Sequence, residues 1–172
     1  NKGHDLLIRS VRRIVSDYDC HLVFLGDSPP GYEGYREQLE ETIESLGLTP
    51  RVHWLGFHED LALFYGLMDV LVLPSHSEGL PRVVIEGLSA GLPVVATDVG
   101  GVSEILLSNV LGRVVPPNDV DRLTQAISDV IRDCDMNNQS ARETRIEYVK
   151  ERFSIDAYVR GFESIVLEVV KS

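Results

Sequence analysis

The sequence predicts an α/β fold, a doubly wound parallel sheet covered by helices on both faces. Three observations predict it. Short apolar runs recur, among them His21 to Gly26, Asp69 to Pro74 and Val94 to Thr97, of the kind found in the centre of a parallel sheet. Segments with helical period lie between them, such as Leu7, Val11, Ile14 and Val15, or Leu123, Ala126, Ile127, Val130 and Ile131. Strand and helix alternate almost throughout, which calls for crossover connections and a sheet with helices on each side.

In chain order, Lys2-Gly3 precedes the first amphipathic segment, and His21 to Gly26 is the first strand. Asp27 to Gly34, with Pro29-Pro30 and two glycines, reads as loop. Tyr35 to Leu46 is a second helix with Leu39, Ile43 and Leu46 inward and Gly47 as its stop. Arg51 to Gly56 is a strand, and Glu59 to Met68 a short helix packing Leu63, Phe64 and Leu67. After the strand at Val94 to Thr97 come a brief helix around Ser103 to Leu107 and a strand from Arg113 to Val115. Pro116-Pro117 breaks the chain, and Asp119 is placed to cap the helix that runs to Arg132. Asn137-Asn138 makes a turn, Ser140 to Arg152 is a helix, and Ser154 caps a last helix carrying Tyr158, Phe162, Ile165 and Val169.

Composition narrows the function classes. At 172 residues, 44% apolar and 25% charged, the chain has the make-up of one soluble globular domain with a substantial core. A net charge of −11 argues against nucleic acid as the main partner, since phosphate backbones need clustered Lys and Arg. The two cysteines, Cys20 and Cys134, have no paired spacing and demand no oxidising compartment. No apolar run approaches a membrane span and no signal peptide is visible, so a cytoplasmic location is expected.

The chemistry concentrates in Ser75 to Gly101. The loop Ser75 to Leu80 lies between the carboxyl end of a strand and the amino end of a helix, with Pro81 in the first turn. Gly91 and Pro93 stop that helix. Unpaired N–H groups at the helix start carry about half a positive charge, which suits a phosphate. Two carboxylates flank the place, Glu78 on the loop and Glu86 in the helix, with seven residues between them. Carboxylates accept strong hydrogen bonds from sugar hydroxyls. Taken alone, the pair has a plainer reading, with Glu86 paired to Arg82 one turn earlier and Glu78 a solvated acid.

The whole stretch, Pro-Ser-x-x-Glu-Gly-Leu-Pro followed by Gly-Leu-Pro-Val-Val-Ala-Thr-Asp-Val-Gly-Gly, closely resembles the group-1 retaining glycosyltransferases. Those enzymes pair two Rossmann-like domains in the GT-B architecture. The resemblance runs from Lys2 to about Phe162 and implies the C-terminal, donor-binding half. It implies that Glu86 holds the ribose hydroxyls, Glu78 contacts the transferred sugar, and Lys2 neutralises the donor diphosphate. The Gly79 and Leu80 N–H groups, with Ser75 and Pro81 around them, would face sugar and diphosphate, and Gly56-Phe57 would lie beside the nucleobase. The pattern departs at Gly87, where the family often has Ala, and at Ser103, often Pro.

By the same resemblance the ligand is a nucleoside diphosphate sugar, transferred with retention to an acceptor hydroxyl by front-face substitution without a metal, and no cofactor is required. The acceptor-binding N-terminal domain and an Arg partner of Lys2 are absent from this chain, and the fragment is expected to be inactive alone. Two other readings stay open: a sugar-nucleotide epimerase half, which shares the architecture, and a non-catalytic Rossmann-type binding module.

Competing motifs are weaker. Asp17-x-Asp19, Asp119-x-Asp121 and Asp133-x-Asp135 match a metal-binding pattern, but chance matches are expected among 27 acidic residues and each falls at a helix end. His4, His21, His53, His58 and His76 lack zinc-site spacing. No Gly-x-Gly-x-x-Gly follows a strand and no Walker motif occurs. Rossmann halves order their strands 3-2-1-4-5-6. The first, central strand would then precede Asn1, so five parallel strands are expected, with an open slot between the strands at Val23 and Val72.

Overall fold

The structure is a computed structural model and describes residues 2–27 and 33–171. Its strands are β1 (Leu22–Phe24), β2 (Val52–Trp54), β3 (Leu71–Leu73), β4 (Val94–Thr97) and β5 (Gly112–Val115). Its helices are α1 (His4–Ile14), α2 (Glu33–Ser45), α3 (Ala62–Tyr65), α4 (Arg82–Ser89), α5 (Val102–Ile105), α6 (Val120–Arg132), α7 (Gln139–Phe153) and α8 (Ile155–Lys171).

All pairings between these strands are parallel, and they form two sheets, β1-β2 and β3-β4-β5. No ladder joins Leu22–Phe24 to Leu71–Leu73, and among the described residues no strand precedes His4. The five expected strands are present, with the expected break.

The core shows why β4 is apolar at every position but its last. Val95 joins one cluster with Leu7, Ile8, Val11 and Ile14 of α1 and Leu123, Ile127 and Val130 of α6. Its neighbours Val94 and Ala96 join another, with Val84 and Leu88 of α4 and Val102 and Ile105 of α5. Successive strand side chains point to opposite faces, so a strand buried on both must be continuously apolar. Leu22 and Phe24 of β1 belong to the α1 cluster too, so α1 packs on both sheets.

Caps set several boundaries. Asp119 accepts from the Arg122 N–H at 2.8 Å, Asn138 from the Ala141 N–H at 2.8 Å, and Ser154 from the Ala157 N–H at 3.1 Å.

Four expectations change. The segment Glu59 to Met68 forms one turn only, α3, and leaves Leu63 and Leu67 exposed while burying Tyr65. Gly66 closes that turn, so the apolar residues around it never share a helical face. Gly34 lies in α2, and the Pro29-Pro30 part of the expected loop falls outside the described residues. Arg51 ends a 3₁₀ turn (Thr49–Arg51) rather than opening β2. Pro81 caps α4 from outside, with φ −78° and ψ 89°, instead of sitting in its first turn.

Candidate active site

The site grows from the end of β3. Pro74 and Ser75 are buried, and the loop to Leu80 leads from them into α4. Helix α1 opens onto the same place. Its N-cap Gly3 is left-handed (φ 66°), and a Cβ there would lie 1.9 Å from the Pro74 carbonyl oxygen. Only glycine allows that approach, and the approach carries Lys2 over the loop. Helices α1 and α4 thus both begin beside the carboxyl end of β3, where their dipoles favour an anion.

Lys2 Nζ donates to Glu78 Oε1 at 2.8 Å, and Ser75 Oγ donates to the same oxygen at 2.6 Å. The Glu78 side chain is 12% exposed and that of Lys2 60%. Burial pulls the Glu78 carboxyl up, but the hydrogen bonds from Lys2 and Ser75 and the charge of Lys2 outweigh it and hold the group below its ordinary value of 4.5.

The loop is fixed from β4 as well. Thr97 Oγ1, fully buried, lies 2.5 Å from the Ser75 carbonyl oxygen and 3.3 Å from that of Leu73. A hydroxyl has one hydrogen, so it donates to Ser75. The Gly101 N–H donates to the Gly79 carbonyl at 2.8 Å. Gly100 has φ 55°, and a Cβ on it would lie 2.4 Å from the carbonyl oxygens of both Glu78 and Gly79.

Glu86 is held from another side. The Tyr65 hydroxyl donates to its Oε2 at 2.9 Å, and both residues line a cleft of about 540 Å³ shared with Glu59, Leu61, Ser89 and Arg142. The next residue, Gly87, lets α4 lie close on β3, since a Cβ there would fall 2.5 Å from Leu71 Cδ2. Beyond β2, the Gly26 N–H donates to the Gly56 carbonyl at 2.7 Å, and the Asp27 carboxylate accepts from the Phe57 N–H at 3.2 Å. Gly56 has φ 69°, and the Phe57 side chain is largely exposed.

Of the residues singled out in the sequence, the structure therefore gathers Lys2, Ser75 and Glu78 into one hydrogen-bonded cluster. Gly79 and Leu80 are exposed beside it and Pro81 caps the adjoining helix. Glu86 pairs with Tyr65, not Arg82, and Gly56-Phe57 stands at the end of β2. Sequence reasoning gave no role to Tyr65, Thr97 or Gly100. The Gly100-Gly101 pair is the one signal that marked a close backbone approach.

Four of the six Asp-x-Asp residues are engaged elsewhere. Asp119 caps α6, Asp121 pairs with Arg13, Asp19 with Arg51, and Asp133 accepts from the N–H groups of Asp135 and Met136. Among the described residues no group of three His, Cys, Asp or Glu is placed to hold a metal, and no helix is long and apolar enough to cross a membrane.

Parallel strands flanked by helices, two of which begin beside the carboxyl end of β3, define a Rossmann-like domain. The chain belongs to the group 1 glycosyl transferases, whose family model matches residues 1–152. It is 31% identical over 157 residues to an uncharacterized glycosyltransferase of Methanocaldococcus jannaschii, covering 90% of this chain and 39% of that protein. A lipopolysaccharide core biosynthesis mannosyltransferase of Rhizobium leguminosarum is 26% identical over 156 residues, covering 90% of this chain and 44% of the relative. Among solved structures, Anabaena HepE in complex with UDP superposes with a TM-score of 0.87 at 25% identity, over 97% of this chain and 45% of HepE. The C-terminal domain of a Francisella tularensis group 1 protein has the same fold (TM-score 0.80, 23% identity, 90% of this chain and 80% of that domain). The chain thus spans less than half the length of these full-length relatives, and its fold is that of a GT-B half.

Proposed function

We propose that this chain is the donor-binding half of a two-domain retaining glycosyltransferase, which moves a hexose from a nucleoside diphosphate sugar to an acceptor hydroxyl. The observation that carries the reading is the Lys2–Glu78–Ser75 cluster at the start of two helices. In this reading the donor's diphosphate lies against Lys2, the Gly79 and Leu80 N–H groups and the helix ends. Glu78 accepts from hydroxyls of the transferred sugar, Glu86 from the ribose hydroxyls, and the base lies along Gly56-Phe57.

In the reaction the bond from the anomeric carbon to the phosphate oxygen breaks, and the acceptor oxygen bonds that carbon on the same face. The acceptor proton passes to the leaving phosphate. The protein stabilises the charge that builds on the diphosphate, while the acceptor is held by a domain outside this chain. The UDP bound by HepE and the mannosyl transfer in the Rhizobium relative's name support a sugar nucleotide donor and a polysaccharide or lipopolysaccharide product. The enzyme works in the cytoplasm and binds its donor without a divalent metal or a cofactor.

A thermal-shift screen of nucleoside diphosphate sugars tests the reading, because a ligand that binds only the folded state raises the melting point. Titration then separates the acids. Glu86→Ala should weaken the bare diphosphate and the sugar nucleotide alike, by about ten- to a hundred-fold. Glu78→Ala should weaken only the sugar nucleotide. Dissociation constants should match in magnesium and in excess chelator. No stabilisation by any sugar nucleotide would leave the non-catalytic module as the better reading.

A further inference from the structure

Tyr65 is the side chain that the short α3 turn buries, at 6% exposure, while its neighbours Leu63 and Leu67 lie in solvent. A buried tyrosine needs a partner for its hydroxyl, and here that partner is Glu86 Oε2 at 2.9 Å. Burial, together with the hydrogen bond to Glu86 and that residue's charge, raises the hydroxyl's pKa far above its ordinary range, so it stays a donor. Both side chains line an open cleft of about 540 Å³.

A carboxylate offers about four lone-pair sites on its two oxygens. A side chain with three rotatable bonds, set mid-helix beside an open cleft, would otherwise turn among several rotamers and lose that freedom on binding. With Oε2 engaged by Tyr65, the turn is stopped and the remaining acceptor sites keep one orientation.

We propose that Tyr65 is a positioning residue for the ribose: it orients the Glu86 carboxylate so that this carboxylate receives both hydroxyls of a cis-diol. The inference rests on the donor-binding reading of Glu86 and adds to it a residue from a different element. Specificity for ribose over deoxyribose then comes from the α3–α4 pair, and not from Glu86 alone.

The test is a ratio. Calorimetry measures the tightest binder among UDP, GDP and ADP against its 2′,3′-dideoxy counterpart, in wild type, Glu86→Gln, Tyr65→Phe and the double variant. Wild type should favour the ribose form at least about ten-fold, the scale of one hydrogen bond to a charged group. Tyr65→Phe should cut the preference by about five-fold and leave the dideoxy affinity unchanged. The double variant should match Glu86→Gln. Tyr65→His, which keeps a ring and a donor, should restore part of the preference.

If Glu86→Gln keeps the full preference, the ribose reading of Glu86 falls. If Glu86→Gln abolishes it while Tyr65→Phe keeps it, only the positioning role falls. A Tyr65→Phe protein that binds both ligands equally more weakly, with a lowered melting point, makes Tyr65 a structural residue and overturns the proposal. Should Tyr65→Phe fail to fold, Tyr65→Leu, which also removes the donor, takes its place: it supports the role if the preference narrows at constant dideoxy affinity, and overturns it otherwise.

Discussion

Arg145 offers the sharpest test of how the fold beneath the site is held. It lies on α7, is 1% exposed and has no carboxylate among its hydrogen-bond partners. Its Nε donates to the Val110 carbonyl at 2.7 Å, Nη1 to the Gly91 carbonyl at 2.9 Å, and Nη2 to the Met136 carbonyl. These carbonyls belong to the turn after α4, the approach to β5 and the turn after α6, so one guanidinium ties three chain reversals to α7. Arg145→Met keeps much of the bulk but leaves three interior carbonyls without that donor. Each costs about 1–3 kcal/mol, offset in part because the charge no longer has to be desolvated. The net loss should be about 3–5 kcal/mol, a large share of the ~5–15 kcal/mol typical of a whole domain. For a chain of this size that corresponds to a melting point lower by about 6–20 °C. Arg145→Lys should fall between, because a compact ammonium lacks the planar fork. Urea unfolding followed by circular dichroism should show a lower midpoint at unchanged slope. An unfolding free energy for Arg145→Met within about 1 kcal/mol of wild type would refute the argument.

Two further outcomes are expected. Gly100→Ala forces a left-handed alanine whose Cβ meets the Glu78 and Gly79 carbonyls, so sugar nucleotide affinity should drop at least about ten-fold with a modest loss of melting temperature, and unchanged affinity would show that the loop yields freely. Glu78 has a depressed folded-state pKa, so its contribution is present above 4.5 and is lost as pH falls through the folded value; the stability gap between wild type and Glu78→Gln, measured by urea midpoints, should close in acid and not in base.

Much of the fold was legible because its punctuation is local. Strand β4 lies where Pro93 and Asp98 bound an apolar run, and α6 starts where Asp119 can cap it. What escaped depends on distant partners. The segment around α3 has enough leucines to suggest a helical face, but Tyr65 is buried because Glu86 lies opposite it, a fact of packing that periodicity does not carry. Arg145 stands among Arg142, Glu143 and Glu147 and reads as part of a wet helix face, yet the carbonyl ends of other elements draw it inside. The pinning of the Ser75 loop by Thr97 and Gly101 is equally remote in sequence. Ser75 and Glu78 stand in one motif and Lys2 in a separate part of the resemblance, and the structure adds that the three bond to one another.

The packing of α1 bears on how the site would respond to a ligand. Helix α1 shares its apolar face with both ladders, and the residue just before its cap, Lys2, reaches Glu78 beyond β3. Gly56-Phe57 belongs to the other ladder, at the end of β2. A donor held as proposed would touch Lys2, the β3–α4 loop and the β2 turn at once. Occupancy would then tie three chain segments together through one ligand, and amide hydrogen exchange at the start of α1, in the β3–α4 loop and in the β2 turn would slow on binding.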